Sequence, residues 1–359
     1  RLLAARAARR AGAYDEAREH LGACQRLRQP PPDEVVLEWA LLRAAMGDLK
    51  EVEEYLQARA LKEPAAAPLI WEALAEGCTR MYRVMDALAC LDRWLTLDPD
   101  NVQAHVLRGN VWRHGGATER AREEYQRALE LDPARDDARE WLARCQVRLG
   151  RYAEALANLE ELQKRRPGDP GLLVEMARCQ HDLNRRDEAR QTLDAVLADH
   201  PDHPAALRER GRMALVGGDP AEAEQLLARA ARADPYNYQT NWNYYLALQK
   251  QGKTAAAEAQ KAVAEKLKDR IERMGEIRQR QMSARPHDPA LHCEMGTLLM
   301  ELGQQELAVR WLLSALNQDP DYGPAHAALA DYYRRQGDTE KADYHRRQAQ
   351  AAPAPKKAP

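Results

Sequence analysis

Apolar residues in this chain fall at helical spacing and are interrupted at regular intervals. In residues 136–169, Trp141, Leu142, Leu149, Leu156 and Leu159 recur at steps that keep one stripe on one side of a helix. The stretch DDAREWLARCQVRL predicts a first helix, Gly150 a left-handed turn, and RYAEALANLEELQKR a second helix. The small residues Ala143 and Ala155 let the two helices approach closely, and Pro167 stops the second.

The same unit recurs along the chain. Prolines stand at Pro30, Pro64, Pro99, Pro133, Pro167, Pro201 and Pro235, separated by 34, 35, 34, 34, 34 and 34 residues. A turn series runs Gly12, Gly47, Tyr82, Gly116, Gly150, Asn184, Gly218, Gly252, Gly303 and Gly337. Five residues after each comes a small one: Ala17, Val52, Ala87, Ala121, Ala155, Ala189, Ala223, Ala257, Ala308 and Ala342. Three series in one phase mean a repeat array.

The pattern resembles the tetratricopeptide repeat, a 34-residue helical hairpin with a small residue in mid first helix, Gly before the turn, Ala early in the second helix and Pro at its end. AREEYQRALELDP (121–133) and RWLLSALNQDP (310–320) follow the second-helix signature closely. The mid-first-helix position holds Ala5, Ala40, Ala75, Gly109, Ala143, Ala177, Gly211, Gly296 and Ala330, with Tyr245 the exception. Ten repeats start near 1, 33, 68, 102, 136, 170, 204, 238, 289 and 323. The pentatricopeptide pattern, an RNA-reading relative, fits worse. The resemblance implies an all-α, right-handed α-solenoid of antiparallel helix pairs whose inner wall is built by the first helices.

Two places depart from the period. From Gly252 to Gly303 is 51 residues, 17 more than 34, and 254–285 holds no proline, so the second helix of repeat eight should run on. Val263, Leu267, Ile271 and Met274 mark one stripe on it, suited to packing on neighbouring repeats or to an oligomer contact through 254–285. The last second helix carries Asp343, Arg346 and Gln350 where internal repeats are apolar, as a solvent-facing cap should. The expected organisation is repeats one to seven over 1–237, the extended repeat eight over 238–288, repeats nine and ten with the cap over 289–350, and a disordered tail 351–359. Arg1 falls inside a first helix, so further sequence (more repeats, a signal or an anchor) is expected upstream.

Composition narrows the function. Lys+Arg 54 against Asp+Glu 56 gives a net charge of -2, which argues against generic nucleic-acid binding. No run is apolar enough for a membrane span. Cys24, Cys78, Cys90, Cys145, Cys179 and Cys293 form no C-x-x-C pair, so free buried thiols are expected rather than zinc ligands or a disulfide framework. No phosphate loop, zinc-protease or nucleophile-elbow motif is present, and neither a catalytic site nor a cofactor is expected. His200 and His203 read as loop residues, and His105, His292 and His326, at one first-helix position, as structural histidines.

In the family, positions two, five, six, nine, twelve and thirteen of each repeat face the groove. The ninth position of repeats four to seven holds Asn110, Arg144, Arg178 and Arg212, with Arg113, Arg148 and Arg208 nearby. Such a row suits an acidic segment or a chain terminus, because Arg bonds carboxylate bidentately. The competing reading pairs each cation within its helix: Glu140 with Arg144, Glu175 with Arg178, Arg178 with Asp182, and Glu209 with Arg212. The chaperone-tail clamp of the family needs a Lys and a second Asn that this chain lacks. Trp242 and Asn243 of repeat eight form a second binding candidate, with Tyr244 and Tyr245 assigned to the core. The expectation is a non-enzymatic scaffold for a protein or extended peptide, bacterial in type, in cytoplasm or envelope. The alternative is the adaptor portion of a larger enzyme or cytochrome whose catalytic part lies outside this chain.

Overall fold

The computed structural model of the protein describes residues 1–27, 30–278, 285 and 287–352. Among them are twenty helices. They fall into two compact units, Arg1–Trp141 and Leu142–Pro359, with the division inside the helix Asp136–Arg148.

In the first unit, Leu2–Arg10 pairs with Tyr14–Leu27, Ala67–Arg80 with Val84–Leu97, and Val102–His114 with Thr118–Leu131. Repeat two is Asp33–Met46 followed by a shorter second helix, Glu53–Lys62. In the second unit Tyr152–Arg165 is followed by Pro170–Asp182 with Arg186–Asp199, Pro204–Gly217 with Pro220–Ala233, and Tyr238–Lys250 with Thr254–Glu276. Pro289–Glu301 with Gln305–Gln318 and Gly323–Arg335 with Thr339–Ala351 complete it.

Each periodic series has a steric cause. All ten turn residues have positive φ, including the two non-glycines, Tyr82 at 57° and Asn184 at 64°. A left-handed residue turns the chain back after one helix, and glycine adopts it without a Cβ penalty. The Ala series is buried throughout, from Ala17 to Ala342, where the two helices of a pair cross. The mid-first-helix position is small because a side chain four residues after that Ala fills the space. A Cβ at Gly109 would stand 2.7 Å from the Tyr125 ring, one at Gly211 2.7 Å from Leu227, and one at Gly296 2.8 Å from Leu312. Repeat eight reverses the arrangement, with buried Tyr245 on the first helix and Lys261 at the position of those large residues.

Two turn glycines differ in a way that can be measured. Gly150, at φ +75°, has open space around a built Cβ, whereas at Gly303, φ +73°, a Cβ would meet the Tyr236 ring at 2.5 Å. Gly150→Ala should therefore cost only the left-handed strain, about 1 kcal/mol. Gly303→Ala adds overpacking and should cost roughly twice as much. Equal losses in urea unfolding would show that the Tyr236 contact gives way freely.

The fourth position of the first helix ties neighbouring repeats together. His105, Arg139, Asn241 and His326 donate to the carbonyls of Pro99, Pro133, Pro235 and Pro320 at 3.0, 2.7, 3.0 and 2.9 Å. The proline that ends one hairpin thus presents its carbonyl to the next. The histidines are structural, as expected, but hydrogen-bonded at both ring nitrogens in repeats four and ten.

The second helix of repeat eight spans Thr254–Glu276, 23 residues, and is followed by a π turn at Ile277 and Arg278. The remainder of the expected 254–285 extension lies largely outside the described residues, as does most of the tail 351–359. Arg273 reaches Glu294 at 2.6 and 2.9 Å and Arg270 reaches Glu301 at 2.5 Å, so the long helix is tied to the first helix of repeat nine. Its stripe is split: Leu267 is buried and Met274 half-buried, while Val263 and Ile271 are exposed. In the helix Thr339–Ala351, Asp343, Arg346 and Gln350 are exposed. All six cysteines are unbridged. No helix among the described residues is long and apolar enough to cross a membrane.

Candidate binding face

The first helices of the first unit carry a charged network across repeats one to three. Arg9 Nε donates to Glu38 at 2.6 Å, with both side chains only 1% exposed. Arg6 adds a bond to Glu38 at 3.2 Å, and Arg10 bonds Glu72 at 3.2 and 2.9 Å. Burial, and then the charge of Glu72, pushes the Glu76 carboxyl up to about 7. No local spacing reveals the Arg9–Glu38 pair, whose partners are 29 residues apart.

In repeat four, half-buried Asn110 accepts from the Tyr125 hydroxyl at 2.8 Å. Arg113 lies 3.9 Å above the Trp141 ring, a cation–π contact, and also bonds His114. The sequence assigned Trp141 only to the apolar stripe; it is half-buried and stacks with a predicted site residue.

In the second unit, Arg212 donates to Glu209 at 2.8 Å, as expected from their spacing, and lies 3.9 Å from Asp182. Arg208 takes the other Glu209 oxygen at 3.1 Å. Burial alone would raise the Glu209 pKa, but Arg212 and Arg208 outweigh it and hold the carboxyl below its ordinary value. Arg208 is thus committed within its own repeat, and Arg212 both to Glu209 of its own repeat and to Asp182 of the preceding one.

Arg178 departs from expectation. It pairs with neither Glu175 nor Asp182 and, half-buried, makes no hydrogen bond or ion pair among the described residues. Spacing within one helix permits such pairs, but Asp182 is taken by His181 at 3.4 Å and by Arg212. Arg148 is exposed and equally without a hydrogen bond or ion pair among the described residues, whereas exposed Arg144 is engaged. One period separates Arg148 from Asp182 and Arg178 from Arg212. Where repeats six and seven set Arg212 against an acid, repeats five and six carry two bases.

Trp242 lies between Tyr238 and Tyr245, at ring distances of 6.1 and 5.1 Å, and is half-buried beside Asn243. Tyr245 is buried and Tyr244 packs on the same core, as expected. A hollow of about 200 Å³ opens between the first helices of repeats nine and ten, walled by Thr297, Met300, Glu301, Asp331, Tyr332 and Arg335. Sequence reading missed it, because its walls come from two repeats. His203 caps its helix, Nδ1 accepting from the Ala206 N–H at 3.2 Å, and burial then His200 lower its pKa. Among the described residues no group of three or more His, Cys, Asp or Glu could hold a metal ion.

Tetratricopeptide-repeat family models match residues 81–136, 118–170 and 147–210. With its hairpins in one register, each turned by a left-handed residue, the chain is a tetratricopeptide-repeat protein, an all-α array of helix pairs. Solved structures with a similar fold include YrrB, described as a tetratricopeptide-repeat protein with an unusual peptide-binding site; it is 21% identical, with 55% of this chain and 97% of that one covered and a TM-score of 0.46. PilW, a type IV pilus biogenesis factor, is 20% identical over 54% of this chain and 90% of its own, at 0.47. MamA from Desulfovibrio magneticus RS-1 is 15% identical over 47% and 96%, at 0.44. A comparison with curated proteins returns no match.

Proposed function

We propose that this protein is a binding scaffold rather than a catalyst, and that the first-helix face of its second unit holds an acidic segment or free chain terminus of a partner protein. The observation that carries the reading is the pair Arg148 and Arg178: two cations in adjacent repeats, neither in an ion pair among the described residues, while Arg208 and Arg212 of the next repeat share Glu209. A half-buried guanidinium without a carboxylate retains bonding capacity that a partner's carboxylate can use. Trp242 with Asn243 is the further contact proposed on the second unit, and Asn110 with Arg113 is a separate candidate contact on the first.

A peptide array with acidic, neutral and basic members, each with free or amidated C-terminus, tests this. Acidic or free-carboxylate peptides should be retained. Arg148→Ala with Arg178→Ala should weaken them at least about tenfold, since a charge-assisted bond contributes about 1.5–3 kcal/mol. Arg208→Ala, which removes a cation already held by Glu209, should weaken them far less. Equal retention of basic peptides, or unchanged affinity in the double variant, would remove the reading.

A further inference from the structure

The last repeat contains two imidazoles in direct contact inside its core. His326 of Gly323–Arg335 and His345 of Thr339–Ala351 are 4% and 8% exposed, with their Nδ1 atoms 2.8 Å apart. His326 Nε2 donates to the Pro320 carbonyl at 2.9 Å, so its Nδ1 is the acceptor and His345 Nδ1–H the donor. Other repeats fill these two positions differently. His105 meets the carboxylate of Glu124, which stands at the His345 position, at 2.8 Å; in repeat nine that position holds Trp311, and His292 meets the Ser314 hydroxyl, three residues further along, at 2.7 Å. A carboxylate balances an imidazolium and a hydroxyl can turn its lone pair toward one. A second imidazole can do neither once both rings are charged.

The surroundings offer no compensation. Tyr333 stacks on His345 with 6° between the rings, and Tyr344 stands edge-on to both histidines. Burial, the largest effect, raises the pKa of Tyr333 and of Tyr322, so both phenols stay neutral. Lys341 lies over Tyr333 and is paired with Asp338 at 2.8 Å, placing a further cation nearby with its acid already engaged. Behind them, Gln305–Gln318 contributes Leu312 and Ala315, and Pro289–Glu301 contributes Cys293, whose thiol burial pushes up to about 11. No carboxylate lies within ion-pair distance of either imidazole among the described residues.

We propose that the helix Thr339–Ala351 is an acid-released cover: protonating the His326–His345 pair breaks the bond between the rings, detaches the helix and uncovers the apolar side of Gly323–Arg335, including Ala325 and Leu329. The first proton goes to the remote nitrogen of His345 and leaves the inter-ring bond intact. The second must go to His326 Nδ1, the acceptor of that bond, and sets two cations against each other. Burial, then the neighbouring His326, already hold the His345 pKa below its ordinary 6.5. Such a group contributes stability above that value and loses it as pH falls below, which fixes the direction of the switch.

Amide hydrogen exchange on the full chain at about pH 7.5 and about pH 5, corrected for intrinsic rates, reads the release directly. Protection over 339–351 should fall about tenfold or more on acidification, while Thr118–Leu131, whose Glu124 faces His105, keeps its own. His345→Ser, which removes the second imidazole, should keep its protection at both pH values. If that variant proves unprotected at neutral pH, His345→Glu, which copies repeat four, should hold or gain protection in acid. Protection of the wild-type helix that is indifferent to pH, or the same acid loss in the Ser or Glu variant, overturns the proposal.

Discussion

Gly77→Ala should destabilise the first unit by about 3 kcal/mol, at the upper end of overpacking costs. In an isolated helix the same change would help by up to about 1 kcal/mol, because Ala is the better helix former. The sign reverses because Ala67–Arg80 packs directly on Asp33–Met46, and a Cβ at Gly77 would stand 2.1 Å from the carbonyl oxygen of Ala44. That oxygen is backbone and cannot swing aside as a side chain does. The short second helix of repeat two, Glu53–Lys62, accompanies this close approach. Gly275→Ala, in the long helix with open space around it, supplies the control and should stabilise. Urea unfolding of the two variants beside the parent checks both signs, and a neutral Gly77→Ala would mean that the two helices separate without cost.

Glu38→Gln should cost about 3 kcal/mol or more, because it strands the Arg9 guanidinium in the core. Arg9 is already under-satisfied: Nε bonds Glu38, but Nη1 and Nη2 are buried without a partner. Replacing both residues by apolar ones, Arg9→Met with Glu38→Leu, should therefore recover most of the loss and can exceed the parent in stability. Hydrogen exchange over Leu2–Arg10 and Asp33–Met46 reads the effect locally, which matters because repeat arrays do not unfold as one step. A double variant as weak as Glu38→Gln would show that the pair's geometry, rather than its charge, holds these helices.

The parts of the molecule open to sequence reading are those set by rules that recur every period. A left-handed turn residue, a small residue at the helix crossing and a proline stop each answer a local steric demand, so Tyr82 and Asn184 could be assigned to the turn from phase alone. Gly77 could not be singled out, because the atom that requires it belongs to Ala44 of another repeat. The same limit applies to charge. The rule of three- and four-residue spacing correctly joined Glu209 to Arg212 but wrongly joined Arg178 to Glu175 and Asp182. The rule describes which side chains can meet on one helix, while a neighbouring helix decides which of them do. His326 shows an intermediate case: its recurrence at the fourth position was visible, but its partner His345 lies on the facing helix, at a phase that holds Glu124 in repeat four and Trp311 in repeat nine.

The placement of the cysteines gives the array its own internal reporters. Cys24 alone is partly open to solvent, while Cys78, Cys90, Cys145, Cys179 and Cys293 are buried. Cys78 and Cys90 share the core of repeat three, Cys145 and Cys179 belong to repeats five and six, and Cys293 to repeat nine. A small alkylating reagent in native buffer meets one thiol, and the order in which the others become modified maps where the array first loosens, with no engineered label.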